Sequence, residues 1–285
     1  MSALVAVLIG LGVVVVIAVG IGAATHLRHR RWGPLTGGHA HNDYRQSRPL
    51  LAALDQGFTS VEVDIWPHQD EHGVPRLLVG HDAEDLEYWR TLRGLYLDPL
   101  ARRAADYGGV LPGYDRPFQL LVEIKNDPEW CWELLSAELE EYKDMLTRFE
   151  GDEIHQGAVS VVITGKPPRK QLEASPVRYA ACDGSLAAVG GDAPASLVPL
   201  CSEKWDWKFH WDGHGEMPDD ERQLLREWVA KAHAEGRTVR FWGVPAHSRR
   251  QRRAFWKEMR DAEVDYLGTD DLSALRSFLA PRAAR

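Results

Sequence analysis

The chain has 285 residues, 44% of them hydrophobic, and sets 34 basic against 42 acidic side chains for a net charge of −8. Acidic residues spread along the whole length exclude a nucleic-acid-binding surface, so no nucleic-acid partner is expected. Three cysteines without CxxC spacing, Cys131, Cys182 and Cys201, exclude a disulfide scaffold and a thiolate zinc site, and they read as small buried thiols.

From Ala3 to Ala24 the chain is uncharged and built of Val, Ile, Leu, Ala and Gly. At about 1.5 Å rise per residue such a run spans the ~30 Å hydrocarbon core as a helix. Residues 1–25 are therefore expected to form one N-terminal transmembrane helix, a single-pass anchor that places the protein at a membrane. A cleaved signal peptide, with secretion, is the alternative, but it wants a basic leader and a shorter apolar stretch. The basic flank His26-Leu27-Arg28-His29-Arg30-Arg31 falls in a juxtamembrane linker over 26–34 and favours a cytoplasmic body. The remainder, 35–285, is expected to be one catalytic domain.

Along that body, short β-rich apolar runs alternate with helix-patterned stretches. Strands are predicted at Leu35–Ala40, Ser60–Trp66, Arg76–His81, Gln119–Lys125, Ala158–Thr164, Arg178–Cys182, Leu197–Ser202, Thr238–Val244 and Asp265–Gly268. Helices are predicted at Pro49–Gln56, Glu129–Phe149, Asp219–Glu235, Ser248–Asp261 and Asp271–Leu279. Glu129–Phe149 is apolar at Trp132, Leu135, Leu139 and Tyr142, close to helical spacing, and Gly236 stops the helix predicted at Asp219–Glu235. The alternation predicts an α/β fold with a parallel sheet, and the length favours its closed form, a TIM-type (β/α)8 barrel. The strand count is one too many for that barrel, and Arg76–His81 is expected as a hairpin arm on the strand before it. The stretch from Tyr88 to Arg116 is the least regular and is expected as an excursion on the barrel top.

Reactive side chains in such a barrel sit at the C-terminal ends of strands. That filter selects Gly38-His39-Ala40-His41-Asn42-Asp43, Glu62-Val63-Asp64, His81-Asp82 and Glu123-Ile124-Lys125. Period 2 turns Glu62 and Asp64 to one face, opposite Val61 and Val63. Carboxylates gathered inside a barrel repel one another unless a cation sits among them, and a hard divalent ion, Mg²⁺ first and Ca²⁺ second, fits oxygen donors. Two histidines beside such an ion can act as general base and general acid near neutral pH. His41 shares the face of His39 if the strand continues that far.

The stretch Gly38-His39-Ala40-His41-Asn42-Asp43-Tyr44, followed by Arg48-Pro49-Leu50, Gly57-Phe58 and Ser60-Val61-Glu62-Val63-Asp64, resembles the PI-PLC-like phosphodiesterase superfamily. That superfamily includes glycerophosphodiester phosphodiesterases and sphingomyelinase D toxins. The stretch resembles still more the branch named for altered inheritance of mitochondria protein 6. The resemblance runs from about Leu35 to Leu272 and implies a metal-dependent phosphodiesterase acting on a phospholipid or glycerophosphodiester. It implies His39 and His81 as the catalytic pair, Glu62, Asp64 and Glu123 as metal ligands, and Lys125 as a phosphate contact. Trp242 corresponds to an aromatic residue at the top of a late strand, and Gly268-Thr269-Asp270 to the closing strand. Ala40 stands where glycerophosphodiester phosphodiesterases carry a phosphate-binding arginine, so Lys125 or Arg240 is expected to take that contact. Asn42, three residues after His39, matches the sphingomyelinase D pattern. The substrate-binding candidates are thus Asn42, Lys125, Arg240 and Trp242. A lyase that forms a cyclic phosphate is the second enzymatic alternative, and a non-catalytic, membrane-tethered lipid-binding barrel is the third. No protein partner is implied.

The run Trp205 to Trp211 alternates aromatic and polar residues and as a strand would show a broad aromatic face. His210, Asp212, His214 and Glu216 mimic a metal cluster but read as solvated loop residues. The arginines at 249, 250, 252 and 253 read as a solvated helix face.

Overall fold

The computed structural model describes residues 33–280. The chain divides into two units, Met1–Gly33 and Pro34–Arg285, and every element below belongs to the second. In chain order the strands are β1 (Leu35–Ala40), β2 (Phe58–Gln69), β3 (Pro75–Val79), β4 (Phe118–Ile124), β5 (Arg148–Glu150), β6 (Glu153–His155), β7 (Val159–Gly165), β8 (Val177–Arg178), β9 (Ala180–Gly184), β10 (Leu200–Lys204), β11 (Thr238–Trp242) and β12 (Leu267–Thr269). The helices are α1 (Leu51–Asp55), α2 (Asp98–Tyr107), α3 (Pro128–Glu141), α4 (Arg169–Ala174), α5 (Asp219–Ala234), α6 (Arg249–Asp261) and α7 (Leu272–Leu279). Strands pair in parallel in the order β11-β10-β9-β7-β4-β2-β1-β12, and a parallel bridge from Arg240 to Tyr266 draws the two ends of that sheet together into a nearly closed barrel.

The register decides which side chains share a level inside the barrel. Across β2, β4 and β7, Ser60, Gln119 and Ser160 share one level, Glu62, Leu121 and Val162 the next, and Asp64, Glu123 and Thr164 the one above. Because strand side chains alternate faces, the residues between them point outward. Val61, Val63, Leu120, Val122, Val161 and Ile163 accordingly join the large core beneath the helices, while Leu121, Val162 and Leu200 form a small separate core with Tyr266. Burying each such Val, Leu or Ile stabilises by about 1.5–3 kcal/mol. That core holds the polar inner face in place.

The antiparallel hairpin forms as expected: β2 runs on past the barrel and β3 folds back on it, from Ile65 opposite Val79 to Gln69 opposite Pro75. The three cysteines are free and buried.

The expectation of a membrane-spanning helix, and with it of a membrane location, is corrected. Among the described residues no helix is long and apolar enough to cross a membrane. The longest of them, α5, opens on Asp219-Asp220-Glu221-Arg222, and its buried face is limited to Leu225, Val229 and Ala232. The apolar run Ala3–Ala24 itself, like most of the linker over 26–34, lies outside the described residues.

Other differences are local. The helix expected to reach Phe149 ends at Glu141, because Phe149 is drawn into a small antiparallel sheet, β6-β5-β8, opposite Arg178. The stretch expected as an irregular excursion carries α2, which buries Leu100 after a turn that buries Tyr96 and Leu97. It docks on α3 through Arg93 on Glu141 and through the Tyr142 hydroxyl, which donates to Asp98. The aromatic run is not a strand. A 3-10 turn at Trp205–Trp207 packs Trp205 against Phe209, Trp211, Phe241 and Phe255, and leaves Trp207 exposed.

The turn after β1 rests on a buried carboxylate. Asp43 is 0% exposed, and its Oδ2 accepts the Leu50 amide and the Tyr96 hydroxyl. Burial raises its pKa from 3.8 to about 6, against the pull of those two donors. A raised acid favours the folded state below its unfolded pKa and loses that advantage as pH rises through the folded value. The charged form therefore costs stability above pH 6, on the order of 3 kcal/mol. Asp43→Asn keeps an oxygen for both donors and removes the titration. The urea midpoint of the variant, relative to wild type, is expected to improve steadily between pH 4 and 7.

Candidate active site

Three carboxylates meet where β4 ends beside the middle of β2. Glu62, Asp64 and Glu123 each offer an oxygen, and these atoms all lie within 4.8 Å of one another. The register explains the meeting, since Asp64 is directly beside Glu123 on the neighbouring strand and Glu62 is one pleat below. Asp64 is 0% exposed. Its Oδ2 lies 2.8 Å from the Tyr44 hydroxyl, 2.9 Å from His81 Nδ1 and 3.3 Å from Lys125 Nζ. Its Oδ1 is buried without a hydrogen-bond partner among the described residues. An unsatisfied buried carboxylate oxygen is costly, and an oxygen cluster around it fits a hard cation. The residues present therefore fit a divalent ion.

Two cations of the chain already sit on this cluster. Arg240 Nη1 donates to Glu62 Oε2 at 3.0 Å, and Lys125 Nζ stands 3.1 Å from Glu123 Oε1. Burial would raise the Glu62 carboxyl, but Arg240 and His39 hold it well below the ordinary carboxylate range. Glu123 moves the other way, raised by burial and by Asp64 despite Lys125. Lys125 is raised, since its two carboxylate neighbours outweigh the burial that would lower it. Gly165, at the end of β7, makes room for Glu123. It has φ +77°, and a Cβ there would come within 2.7 Å of Glu123 Cγ.

The three histidines of the region occupy different depths. On β1 the register places His39 level with Ser60, one pleat below Glu62. It is 1% exposed. Its Nδ1 is 2.7 Å from Ser60 Oγ, and its Nε2 is 3.0 Å from Arg240 Nη1 and 3.2 Å from Glu62 Oε2. A guanidinium can only donate, so the neutral ring accepts at Nε2 and donates from Nδ1. Burial first, then Arg240, lowers its pKa to about 4. His41, two residues further, emerges at the rim with a side chain 41% exposed, and its Nδ1 is 2.8 Å from Asp270 Oδ1. Burial opposes its protonation, but Asp270 and Glu62 outweigh that and raise its pKa. His81 follows β3, which the hairpin sets beside β2. It is held through Nδ1 by Asp64 Oδ2 at 2.9 Å and by the Tyr44 oxygen at 3.0 Å. In both His41 and His81 a carboxylate accepts a hydrogen bond from Nδ1–H, which leaves Nε2 as the exchanging nitrogen.

A polar cleft of about 600 Å³ opens over the cluster. Asn42, Glu62, His81, Glu123, Lys125, Arg240 and Trp242, all expected from sequence, line it together with His41. Asp64 lies just beneath, in contact with His81 and Lys125. His39 does not line it. Asn42, two residues past β1, adopts the left-handed region at φ 48°, a conformation asparagine tolerates, and Tyr44 follows it with its hydroxyl on Asp64. Trp242 stands at the rim, edge-on to Trp207 at 5.8 Å. His210, Asp212, His214 and Glu216 form no metal-holding group among the described residues.

Sequence reasoning missed Tyr44, Thr164, Asp183, Trp207 and Asp270. Asp183 lines the cleft and accepts from Thr164, with burial raising its pKa to about 6. It lies one residue past the predicted end of its strand, so a longer strand would have brought it into the strand-end filter. Tyr44 stood inside the first motif, where a phenol next to an acid is a usable signal.

Residues 34–180 match the AIM6-like phosphodiesterase domain. The chain is 30% identical to altered inheritance of mitochondria protein 6 of Eremothecium gossypii, over 86% of this chain and 69% of that protein. It is 26% identical to the homolog of that protein in Arthroderma benhamiae, over 84% and 82% of the two chains. The Candida glabrata protein of the same name is 27% identical, over 84% and 70%.

Gly165→Ala puts a methyl against Glu123 and forces a left-handed alanine. Its unfolding free energy in urea is expected to fall by about 1–3 kcal/mol. A variant as stable as wild type would show that Glu123 is not confined by this glycine.

Proposed function

The chain belongs to the AIM6-like phosphodiesterase family, and from that premise we propose that its cleft cleaves a phosphodiester, with a divalent cation at the acidic cluster and His41 and His81 as proton carriers. The observation that carries this reading is the pair of carboxylate-oriented histidines on one polar cleft with three clustered carboxylates, Arg240 and Lys125. Glu62, Asp64 and Glu123 would hold Mg²⁺, or Ca²⁺, which polarises a phosphoryl oxygen and stabilises the charge that develops there. Arg240 and Lys125 offer donors to the remaining phosphoryl oxygens and take the place of the arginine missing at Ala40. His41, the histidine whose pKa is raised, suits the protonated role and gives its Nε2 proton to the leaving oxygen. His81 takes a proton at Nε2 from water or from a hydroxyl of the substrate, while Asp64 and Tyr44 fix its ring.

His39 was the expected partner of His81. Its burial, its lowered pKa and its contacts with Ser60, Glu62 and Arg240 support a positioning role instead. Residues 35–285 are proposed as one catalytic domain, with a phospholipid or a glycerophosphodiester as substrate.

The test is a panel of phosphodiesters, from bis(4-nitrophenyl) phosphate to glycerophosphodiesters and lysophospholipids, assayed with EDTA and then with Mg²⁺ or Ca²⁺ restored. Chelation is expected to abolish turnover and the ion to return it. His41→Ala and His81→Ala should each lower kcat by roughly 10²–10⁴-fold with the unfolding midpoint retained. His39→Ala should lower the midpoint, since it empties a buried site and removes the ring that Ser60 and Arg240 both contact. Wild-type kcat in His41→Ala, with kcat lost and stability kept in His39→Ala, would return the acid–base role to His39.

A further inference from the structure

A second cavity, of about 320 Å³, adjoins the polar cleft and shares three of its walls, His41, Arg240 and Trp242. It lies between the ends of β11 and β12 and the helix α6. Six apolar side chains, Phe241, Val244, Ala246, Phe255, Trp256 and Met259, form one part of its lining, and His39, Arg252, Thr269, Asp270 and Asp271 form the polar part. Among the polar groups, His41 pairs with Asp270 at 2.8 Å, and Arg252 lies 3.9 Å from Asp271. The six apolar side chains are what the cavity offers to a hydrocarbon chain.

The common walls fix how the two spaces are used. A phosphate set on Arg240 in the polar cleft therefore has the second cavity next to it, along the walls that His41, Arg240 and Trp242 form for both. We propose that this cavity receives the apolar chain of one ester alcohol, so that the preferred substrate is a phosphodiester with an alkyl-bearing substituent. The assignment rests on the phosphodiesterase reading and adds the side of the site on which the chain lies. Val244 and Ala246 are half-buried lining residues on the loop after β11. Larger side chains at those positions shorten the cavity without entering the carboxylate cluster.

The experiment uses n-alkyl 4-nitrophenyl phosphates from methyl to octyl, with wild type, Ala246→Trp and, as a second filling variant, Val244→Phe. Each protein is first checked for its unfolding midpoint. In wild type kcat/KM is expected to rise roughly two- to fourfold per methylene until the cavity is full. In a folded filling variant the octyl-to-methyl ratio should collapse toward one. Equal rates on methyl and octyl diesters in wild type would overturn the cavity assignment and leave the phosphodiesterase reading intact. If wild type turns over no member, that reading fails, and binding of octyl phosphate against methyl phosphate by calorimetry decides the cavity. Tighter octyl binding that is lost on filling supports it, and equal binding overturns it.

Discussion

Three carboxylates in one small volume are the constraint around which this barrel is organised. Like charges about 4 Å apart repel by about 4 kcal/mol at an effective dielectric of ~20, a large share of a domain's net stability of roughly 5–15 kcal/mol. Parallel register makes the encounter unavoidable, because Asp64 and Glu123 are direct neighbours and Glu62 shares their face. The chain answers with Arg240 on Glu62 and Lys125 between Asp64 and Glu123. Two positive groups against three negative ones leave the cluster short of cation, and the unpartnered Oδ1 of Asp64 marks where the shortage is felt. A structural ion-pair network would be expected to close its own balance. This one does not.

The levels below the cluster exist to hold it. Gln119 donates to Ser60 at 2.8 Å, Ser60 meets His39, and His39 meets Arg240 and Glu62. Every member of that chain is buried, so each must be satisfied by the next or bear the desolvation cost. The neutral state of His39 follows from its place in the series, between a guanidinium and a hydroxyl. His41 escapes that fate because two residues of strand carry it one pleat upward, to the rim, where Asp270 can meet it. A shift of one pleat separates a packed histidine from one that faces the cleft.

Much of this was legible in the sequence. Strand–helix alternation gave the barrel, period 2 gave the common face of Glu62 and Asp64, and the surplus strand at Arg76–His81 gave the hairpin that brings His81 to Asp64. What stayed hidden depends on register, which no single strand encodes. His39 and His41 have the same chemistry and the same face, and only pairing with Ser60 on one side and Gly268 on the other shows that His39 is the deep one. Asp183 was hidden by a strand boundary one residue short. Phe149 was misplaced for a related reason: an aromatic residue near helical spacing satisfies both periods, and its partner Arg178 lies far along the chain.

Arg240 brings fold and site together. It comes from β11, nearly the last strand of the barrel, and it is paired through Ser202 to β10 and by one bridge to Tyr266. Glu62 belongs to the second strand, so its buried countercharge arrives only when the two ends of the sheet meet. Before closure Glu62 has no reason to leave water, and after it the carboxyl is held far below its ordinary pKa. The free energy of that pairing therefore acts on the closing step, where hydrogen bonding is thinnest. It also sets Arg240 on a wall common to the polar cleft and the second cavity, so a group that completes the barrel is one that both spaces share. In this fold the order of the strands and the order of the chemistry are one problem, and the guanidinium of Arg240 is where both are solved.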